Sequence, residues 1–583
     1  MGDRGNGLTR REVLKGAGAA VASMGVVSLA ASRASAQGEW DHTTDILVVG
    51  SGVGACSAAV TAHDNGDAVL LIEKAEFLGG TSAKSAGVLW IPNNFTLKAR
   101  GIEDGRADCL AYMARFSYPE RFDPQAPAFG LEAHELALLE AFYDNASPAV
   151  DRLRASGALS VAEWRMFALD RPATDYLDNV PENKVPAGRP LGPVNAEGAM
   201  GLGAELMAQL TRAVQQRGVA TLTGHRAARL VTDGERGVIG LEAETGGATV
   251  TIRARKAVIF ATGGYVHDPG LTARHQRGRL YGSCAMPMAE GDFIRIAGAA
   301  GARMGKLGSA WRTQVLLEEC LNSPMLAAGA FYIPGDSMLQ VNKYGLRVVN
   351  EHRNYNDRTE VHSAYDASRA EYPNQVLFMI YDQRSAEGFA GAYPIPAKPG
   401  DAAHVLSGST LEALTARVSE RLEEIAASTG GLSLDPAFGA NLKATIQRFN
   451  GFAIAGRDED FQRGAAAYDN EWHPVFSPMA ADSGWPANRY PALCMHPLRD
   501  EGPYYCTLLV AGALDTCGGP AIDASARVLD AGGKPIRGLY GAGNCIASPS
   551  GEAYYGAGHT LGMSLTFGYI AANAAHGEKL AET

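Results

Sequence analysis

The chain has 583 residues, 46% of them hydrophobic and 20% charged, with a formal net charge of −11. That length holds more than one domain and ample material for a buried core. The acidic balance argues against nucleic acid as a partner, because nucleic acid calls for basic patches that release counterions.

At the start, Thr9-Arg10-Arg11-Glu12-Val13-Leu14-Lys15 precedes an Ala/Gly-rich apolar run to Ala31, and Ala34-Ser35-Ala36 follows. Basic, apolar and small-residue regions in that order read as a twin-arginine export signal over residues 1–36, cut near Ala36. The apolar run is too short and too mildly hydrophobic for a permanent membrane span. The expected location is the periplasm, reached by a route that carries proteins already folded around a cofactor. The eight cysteines form no CxxC, which leaves iron–sulfur, zinc and c-type haem sites without local support. In an oxidising compartment Cys506 and Cys517 are candidates for pairing.

The organising stretch is Asp45–Gly54, DILVVGSGVG. An apolar strand runs into Gly50-Ser51-Gly52, with Val53, Gly54 and the small Ala55 opening a helix to Asn65. A second apolar strand, Ala68–Ile72, ends in Glu73, beside Lys74. The first glycine makes the tight turn, the second lets backbone approach a pyrophosphate, and the small third residue lets helix pack on strand. The helix N-terminus turns unpaired N–H groups and a positive dipole end toward the phosphates. Glu73 stands where an acid hydrogen-bonds the adenosine ribose. A second small-residue patch follows: Gly79-Gly80-Thr81-Ser82 and Ser85-Ala86-Gly87. A nicotinamide domain has no need of it, whereas a flavoprotein with FAD stretched across the fold does.

Helices are predicted over Ala133–Ser156 and Leu202–Arg217. From Ala220 the period becomes two, with strands at Ala227–Thr232, Val238–Glu244 and Thr249–Arg253, the last two joined by a Gly246-Gly247 turn. A separate buried strand, Ala257–Phe260, runs into Ala261-Thr262-Gly263-Gly264. Leu339–Asn350 reads as a hairpin. Ser409–Ala427 is an amphipathic helix with Leu411, Leu414, Val418, Leu422 and Ile425 on one face and a Ser409/Glu412 capping box. Gly538–Asn544 returns a strand and a glycine turn, with Gly543 and Asn544 at its end. Thr560 and Leu561 open the last helix, to about Ala575.

Taken together, GSGVGA (50–55), GGTSAKSAG (79–87), WIPNN (90–94), VNEHRNYND (349–357), GPYY (502–505), GLYGAGN and YYGAGHTLG resemble the FAD-dependent 3-ketosteroid dehydrogenases within the fumarate reductase flavoprotein group. The resemblance covers nearly all of the chain after the signal. It implies an α/β fold: a Rossmann-like FAD-binding domain with a β-meander (41–315 and 500–583) and an inserted α+β substrate-capping domain (316–499). It implies FAD as the cofactor, and with no motif that indicates covalent attachment the FAD is expected to be non-covalent. It also implies a steroid-like, apolar ketone as substrate, desaturated next to its carbonyl, with the 1,2 position favoured and 4,5 open. By the same resemblance Tyr554 and Gly558 form the carbonyl-binding pair and Tyr355 the base. Tyr143 and Tyr118 are the candidates for a second tyrosine. One departure stands out: where the family often has proline after the C-terminal tyrosine, this chain has Tyr555.

The chemistry is consistent with those assignments. Removing hydrogens beside a ketone requires an oxyanion hole for the enolate oxygen, a base for the α proton and a hydride acceptor over the β carbon. A Tyr hydroxyl and a glycine N–H supply the first. A tyrosine base, with an ordinary pKa of about 10, requires help, for which Arg353 and Arg358 are candidates. The alternatives are a fumarate- or urocanate-reductase-like enzyme and an electron-transfer or binding flavoprotein. Against the reductase stand Tyr355, Asp515 and His559 at three places where those relatives carry arginine, histidine and arginine. His559 and His496 read as packed residues.

Overall fold

A computed structural model describes residues 39–166, 170–234, 237–398, 402–473 and 487–578; the predicted export signal lies outside them. Strand β1 (His42–Val49) is buried on both faces through Ile46, Leu47, Val48 and Val49, as expected for a parallel strand covered by a layer on each side. Helix α1 (Val53–Asp64) follows, and Val53 through Ala62 are all buried. β2 (Val69–Ile72) then pairs with β1 in parallel, Val48 opposite Leu71. Next come α2 (Gly80–Lys84), β3 (Leu89–Trp90) and α3 (Ala133–Ala155). β4 (Val161–Glu163) and β5 (Pro190–Pro193) form a small antiparallel sheet with β3. α4 (Gly203–Gln216) leads to β6 (Ala220–Leu222).

β7 (Arg226–Asp233), β8 (Gly237–Thr245) and β9 (Ala248–Phe260) make the predicted meander. The Gly246-Gly247 turn joins β8 to β9, both glycines at positive φ. The expected break between Thr249–Arg253 and Ala257–Phe260 is absent: β9 is one strand. Its first half pairs with β8 and its second with β1, and a bulge between Ala254 and Ala257 absorbs the change of register.

A second sheet gathers β10 (Gly282–Ser283), β11 (Ala310–Leu316), β12 (Met338–Val341), β13 (Val376–Asp382), β14 (Val405–Gly408) and β15 (Tyr504–Thr516). Helix α5 (Asp292–Ala299) lies between β10 and β11, and α6 (Tyr355–Thr359) between β12 and β13. β15 is its spine, paired with β10, β11, β13 and β14. Leu414, Val418 and Leu422 of α7 (Leu411–Glu424) are buried in one apolar cluster with Leu442, Ile446 and Phe449 of α8 (Phe438–Ala455). Two local expectations change here. The cap of α7 is Thr410, whose hydroxyl accepts from Ala413 N at 3.1 Å, so the box one residue earlier is not formed. The 339–350 hairpin reduces to a turn with a single bridge, Val341 to Arg347, because β12 pairs with β13 instead.

The chain then returns to the first sheet through β16 (Arg527–Leu529) and β17 (Pro535–Gly541), and ends on α9 (His559–His576). The strand order is β16-β17-β9-β1-β2-β6. Gly54 and Gly568 let α1 and α9 cross at backbone contact: a Cβ on Gly568 would meet Gly54 O at 2.2 Å. Among the described residues no helix is long and apolar enough to cross a membrane. All eight cysteines are free, and Cys506 and Cys517 cannot pair. They are separated by most of β15, roughly 35 Å at the usual strand rise.

Candidate active site

The ends of β1, β9 and β17 open into one large cavity, the position where parallel α/β sheets bind ligands. Gly50 turns the chain out of β1 at φ +105°, and a Cβ there would lie 2.4 Å from Ala261 O, so glycine is required. Every cofactor-site residue expected from the sequence lines this cavity except Ala55: Gly50, Gly52, Val53, Gly54, Glu73, Lys74, Gly80, Thr81, Ser82, Gly87, Ala261, Thr262, Gly263, Gly543, Asn544, Thr560 and Leu561. Ala55 is wholly buried in the core, where its small side chain serves packing.

The wall is held by side-chain bonds. Ser51 Oγ donates to Glu73 at 2.7 Å and accepts from Gly79 N at 3.0 Å, locking the first glycine turn to the second. Ser82 Oγ accepts from Val53 N at 3.1 Å. Lys74 is bound by Glu290 at 3.0 Å and Asp292 at 2.9 Å. Asn544 accepts from Trp311 Nε1 at 3.0 Å and donates to Asp515 at 3.3 Å. Asp515 also accepts from Gly264 N at 2.8 Å, and burial pushes its pKa up to about 6. The first turns of α1 and α9 both open into the cavity, so two helix N-termini face it. A stretched, doubly phosphorylated dinucleotide fits this cradle of turns and helix ends.

At the other end stands an aromatic cluster. Tyr554 lies 5.3 Å, centroid to centroid, from Tyr355, 5.4 Å from Tyr176 and 5.6 Å from Trp311. Tyr355 opens α6, capped by Asn354, and packs edge-on against Phe331 at 5.2 Å. Gly558, at φ +87°, caps α9; a Cβ there would lie 2.4 Å from the Val88 carbonyl. Tyr355, Tyr554 and Gly558 thus line the same cavity. Burial, then the Tyr176 and Tyr554 hydroxyls, push the Tyr355 pKa well above 10. Burial also raises that of Tyr554, against the pull of the Tyr355 and Thr560 hydroxyls.

Neither Tyr118 nor Tyr143 lines the cavity; the Tyr143 hydroxyl is spent on Asp104 O. Among the described residues, the tyrosine that lines the cavity beside Tyr355 and Tyr554 is Tyr176. Its backbone N donates to Tyr555 O at 2.9 Å, and Asp175 bridges Gly556, which ties its loop to the C-terminal segment. The 101–200 stretch carries no periodic or glycine signal that marks it. Behind the tyrosines, Arg358 donates to Gln314 Oε1 at 2.9 Å, Arg353 O at 2.8 Å and Ala330 O, and among the described residues it has no carboxylate partner. Burial, opposed by Tyr468, Tyr332, Tyr176 and Tyr355 in that order, brings its pKa down to about 10. Arg353 is instead paired with Asp357 at 3.1 Å. His559 is buried against Ser550 Oγ at 2.8 Å, its pKa pushed down to about 3 by burial, and His496 bonds Pro497 O; neither lines the cavity.

Fold and cavity together define a dinucleotide-dependent α/β oxidoreductase. The chain belongs to the FAD binding domain family (FAD_binding_2), which matches residues 45–561, and FAD is its cofactor. It is 32% identical over 568 residues to the 4-oxocyclohexanecarboxylate 2-dehydrogenase of Sinomonas cyclohexanicum, across 92% of this chain and 93% of that one. It is 29% identical to the 3-oxosteroid 1-dehydrogenase of Mycobacterium tuberculosis, across 91% and 97%. Among solved structures it is similar to the 3-ketosteroid delta1-dehydrogenase of Sterolibacterium denitrificans in complex with 1,4-androstadiene-3,17-dione. That match has a TM-score of 0.74 at 26% identity and covers 92% of this chain and 99% of that one. The chain is an FAD-dependent oxidoreductase of the ketosteroid and oxo-acid dehydrogenase type.

Proposed function

We propose that the protein desaturates a carbon–carbon bond next to the ring ketone of a steroid-like substrate, with the 1,2 position favoured. The observation that carries this reading is the meeting of Tyr554, Gly558 and Tyr355 at one end of the FAD cavity. The Tyr554 O–H and the Gly558 N–H, at a helix N-terminus where such groups lack intrahelical partners, hold the carbonyl oxygen as it gains enolate charge. Tyr355 takes the α proton, and Tyr176, 5.6 Å away ring to ring, is the neighbour through which its charge is relayed. The hydride acceptor over the β carbon would be supplied by FAD held in this cradle. The Arg358 guanidinium, which interacts with the Tyr355 phenol, favours its ionised form, while burial still holds Tyr355 above the ordinary tyrosine range.

Among the described residues no arginine lines the cavity, which disfavours a small dicarboxylate held by bidentate clamps. Phe331, Tyr355 and Trp472 carry the 316–499 segment to the cavity wall, in keeping with a substrate cap. Turnover of 5α-androstane-3,17-dione with an artificial electron acceptor tests the position: a 1-ene product by NMR supports it, and a 4-ene product shifts the assignment to the 4,5 bond. Export by the twin-arginine route is part of the proposal; replacing Arg10 and Arg11 by lysine should leave the protein in the cytoplasmic fraction.

A further inference from the structure

Among the described residues the cavity wall carries three basic side chains, Lys74, Lys84 and His225. Lys74 is neutralised by Glu290 and Asp292. His225 Nδ1 is engaged by Thr223 O. Lys84 differs: its ammonium donates to two backbone carbonyls, Cys284 O at 3.1 Å and Leu326 O, and among the described residues no carboxylate lies within ion-pair reach. An ammonium has three donors, so one remains. The two carbonyls fix it beside Cys284 and Leu326, next in the chain to Ala327 and Ala328, which line the cavity too, and Lys84 is an exposed residue. Its chain neighbours on the wall, Thr81, Ser82 and Ser85, are polar but uncharged, and the segments that supply its carbonyl partners add the apolar Met286, Ala327 and Ala328. A pinned cation on the cavity wall, with no carboxylate partner among the described residues, is a recognition point for an anion.

We propose that Lys84 binds a carboxylate carried by the ring-ketone substrate away from its carbonyl. This rests on the dehydrogenase reading and narrows it to oxo acids: Tyr554 and Gly558, from the loop before α9, take the ketone, and Lys84, from α2, takes the acid. One ammonium suits one carboxylate, in keeping with the lack of arginine clamps. The other anion in reach of such a cation is a phosphate of FAD itself, since Gly80, Thr81 and Ser82 of the same helix also line the cavity.

The test compares 3-oxo-4-androstene-17β-carboxylate with 4-androstene-3,17-dione in the holoenzyme, using kcat/KM and the perturbation of the flavin spectrum on binding. A charge-assisted hydrogen bond corresponds to a preference of about 10- to 100-fold for the acid, falling with salt. In Lys84→Met the acid/neutral ratio should fall to near one, and Lys84→Arg should retain most of it. An equal ratio in wild type and Lys84→Met, with both ketones turned over, overturns the anion site and leaves the dehydrogenase reading standing. Lys84-dependent binding of the acid without turnover of either ketone does the reverse. A Lys84→Met protein isolated without FAD, whose ratio on reconstitution equals that of wild type, assigns the lysine to the dinucleotide and also overturns the proposal.

Discussion

Replacing Tyr554 by phenylalanine isolates one hydroxyl. The ring stays where it is, because its stack on Tyr176 at 5.4 Å and its edge contacts with Trp311 and Tyr355 involve no oxygen. The folded state loses the coupling of that hydroxyl to Tyr355 and Thr560, worth about 1 kcal/mol. The transition state loses one of two oxyanion donors, worth about 2.7–4 kcal/mol, or about 10²- to 10³-fold in rate. The assay is the rate constant for flavin reduction at saturating ketone, measured by rapid anaerobic mixing. FAD content and melting temperature serve as controls. A variant that keeps its FAD and reduces it within about threefold of the wild-type rate would remove the tyrosine from the oxyanion hole and refute the reasoning.

Three further outcomes are expected. Arg358→Met takes away the buried cation that favours ionised tyrosine, so the tyrosine limb of the kcat/KM–pH profile should rise by about one unit, with Arg358→Lys restoring it; an unmoved limb excludes this role. Glu471 is buried, bonded to Thr174 Oγ1 at 2.5 Å, and burial pushes its pKa up to about 7. The folded state therefore holds a proton that the unfolded chain releases above about 4.5, so stability falls as pH rises through 4.5 to 7, by up to about 3 kcal/mol. Denaturation at pH 5 and pH 8 should show Glu471→Gln largely free of this loss. Gly50→Ala forces a Cβ to within 2.4 Å of Ala261 O at φ +105°, and the variant should purify with little FAD, read from its visible-to-ultraviolet absorbance ratio.

The dinucleotide half of the cavity was readable because its signals are local. A strand, a glycine turn, a small-residue helix buried from Val53 to Ala62 and an acid follow one another within 29 residues, from Asp45 to Glu73, and all but Ala55 of the expected residues reach the cavity. Tyr554, Gly558 and Tyr355 were readable by resemblance alone. Tyr176 was not, since a bridge from Asp175 to Gly556, almost four hundred positions away, decides where its loop lies. The same non-local pairing explains the smaller errors. β12 abandons a local hairpin for β13, and β9 continues through Ala254 because β1 takes over from β8 as its partner. Arg358 could be separated from Arg353 only by seeing that Asp357 claims the latter.

The most direct test of the central claim is anaerobic mixing of the oxidised holoenzyme with 4-androstene-3,17-dione while the flavin absorbance is followed. The account predicts bleaching of the oxidised band, with one 1,2-desaturated product formed per flavin by mass spectrometry. An unbleached flavin, together with reoxidation of the pre-reduced enzyme by fumarate or another enoate, would contradict it and place the protein among the reductases.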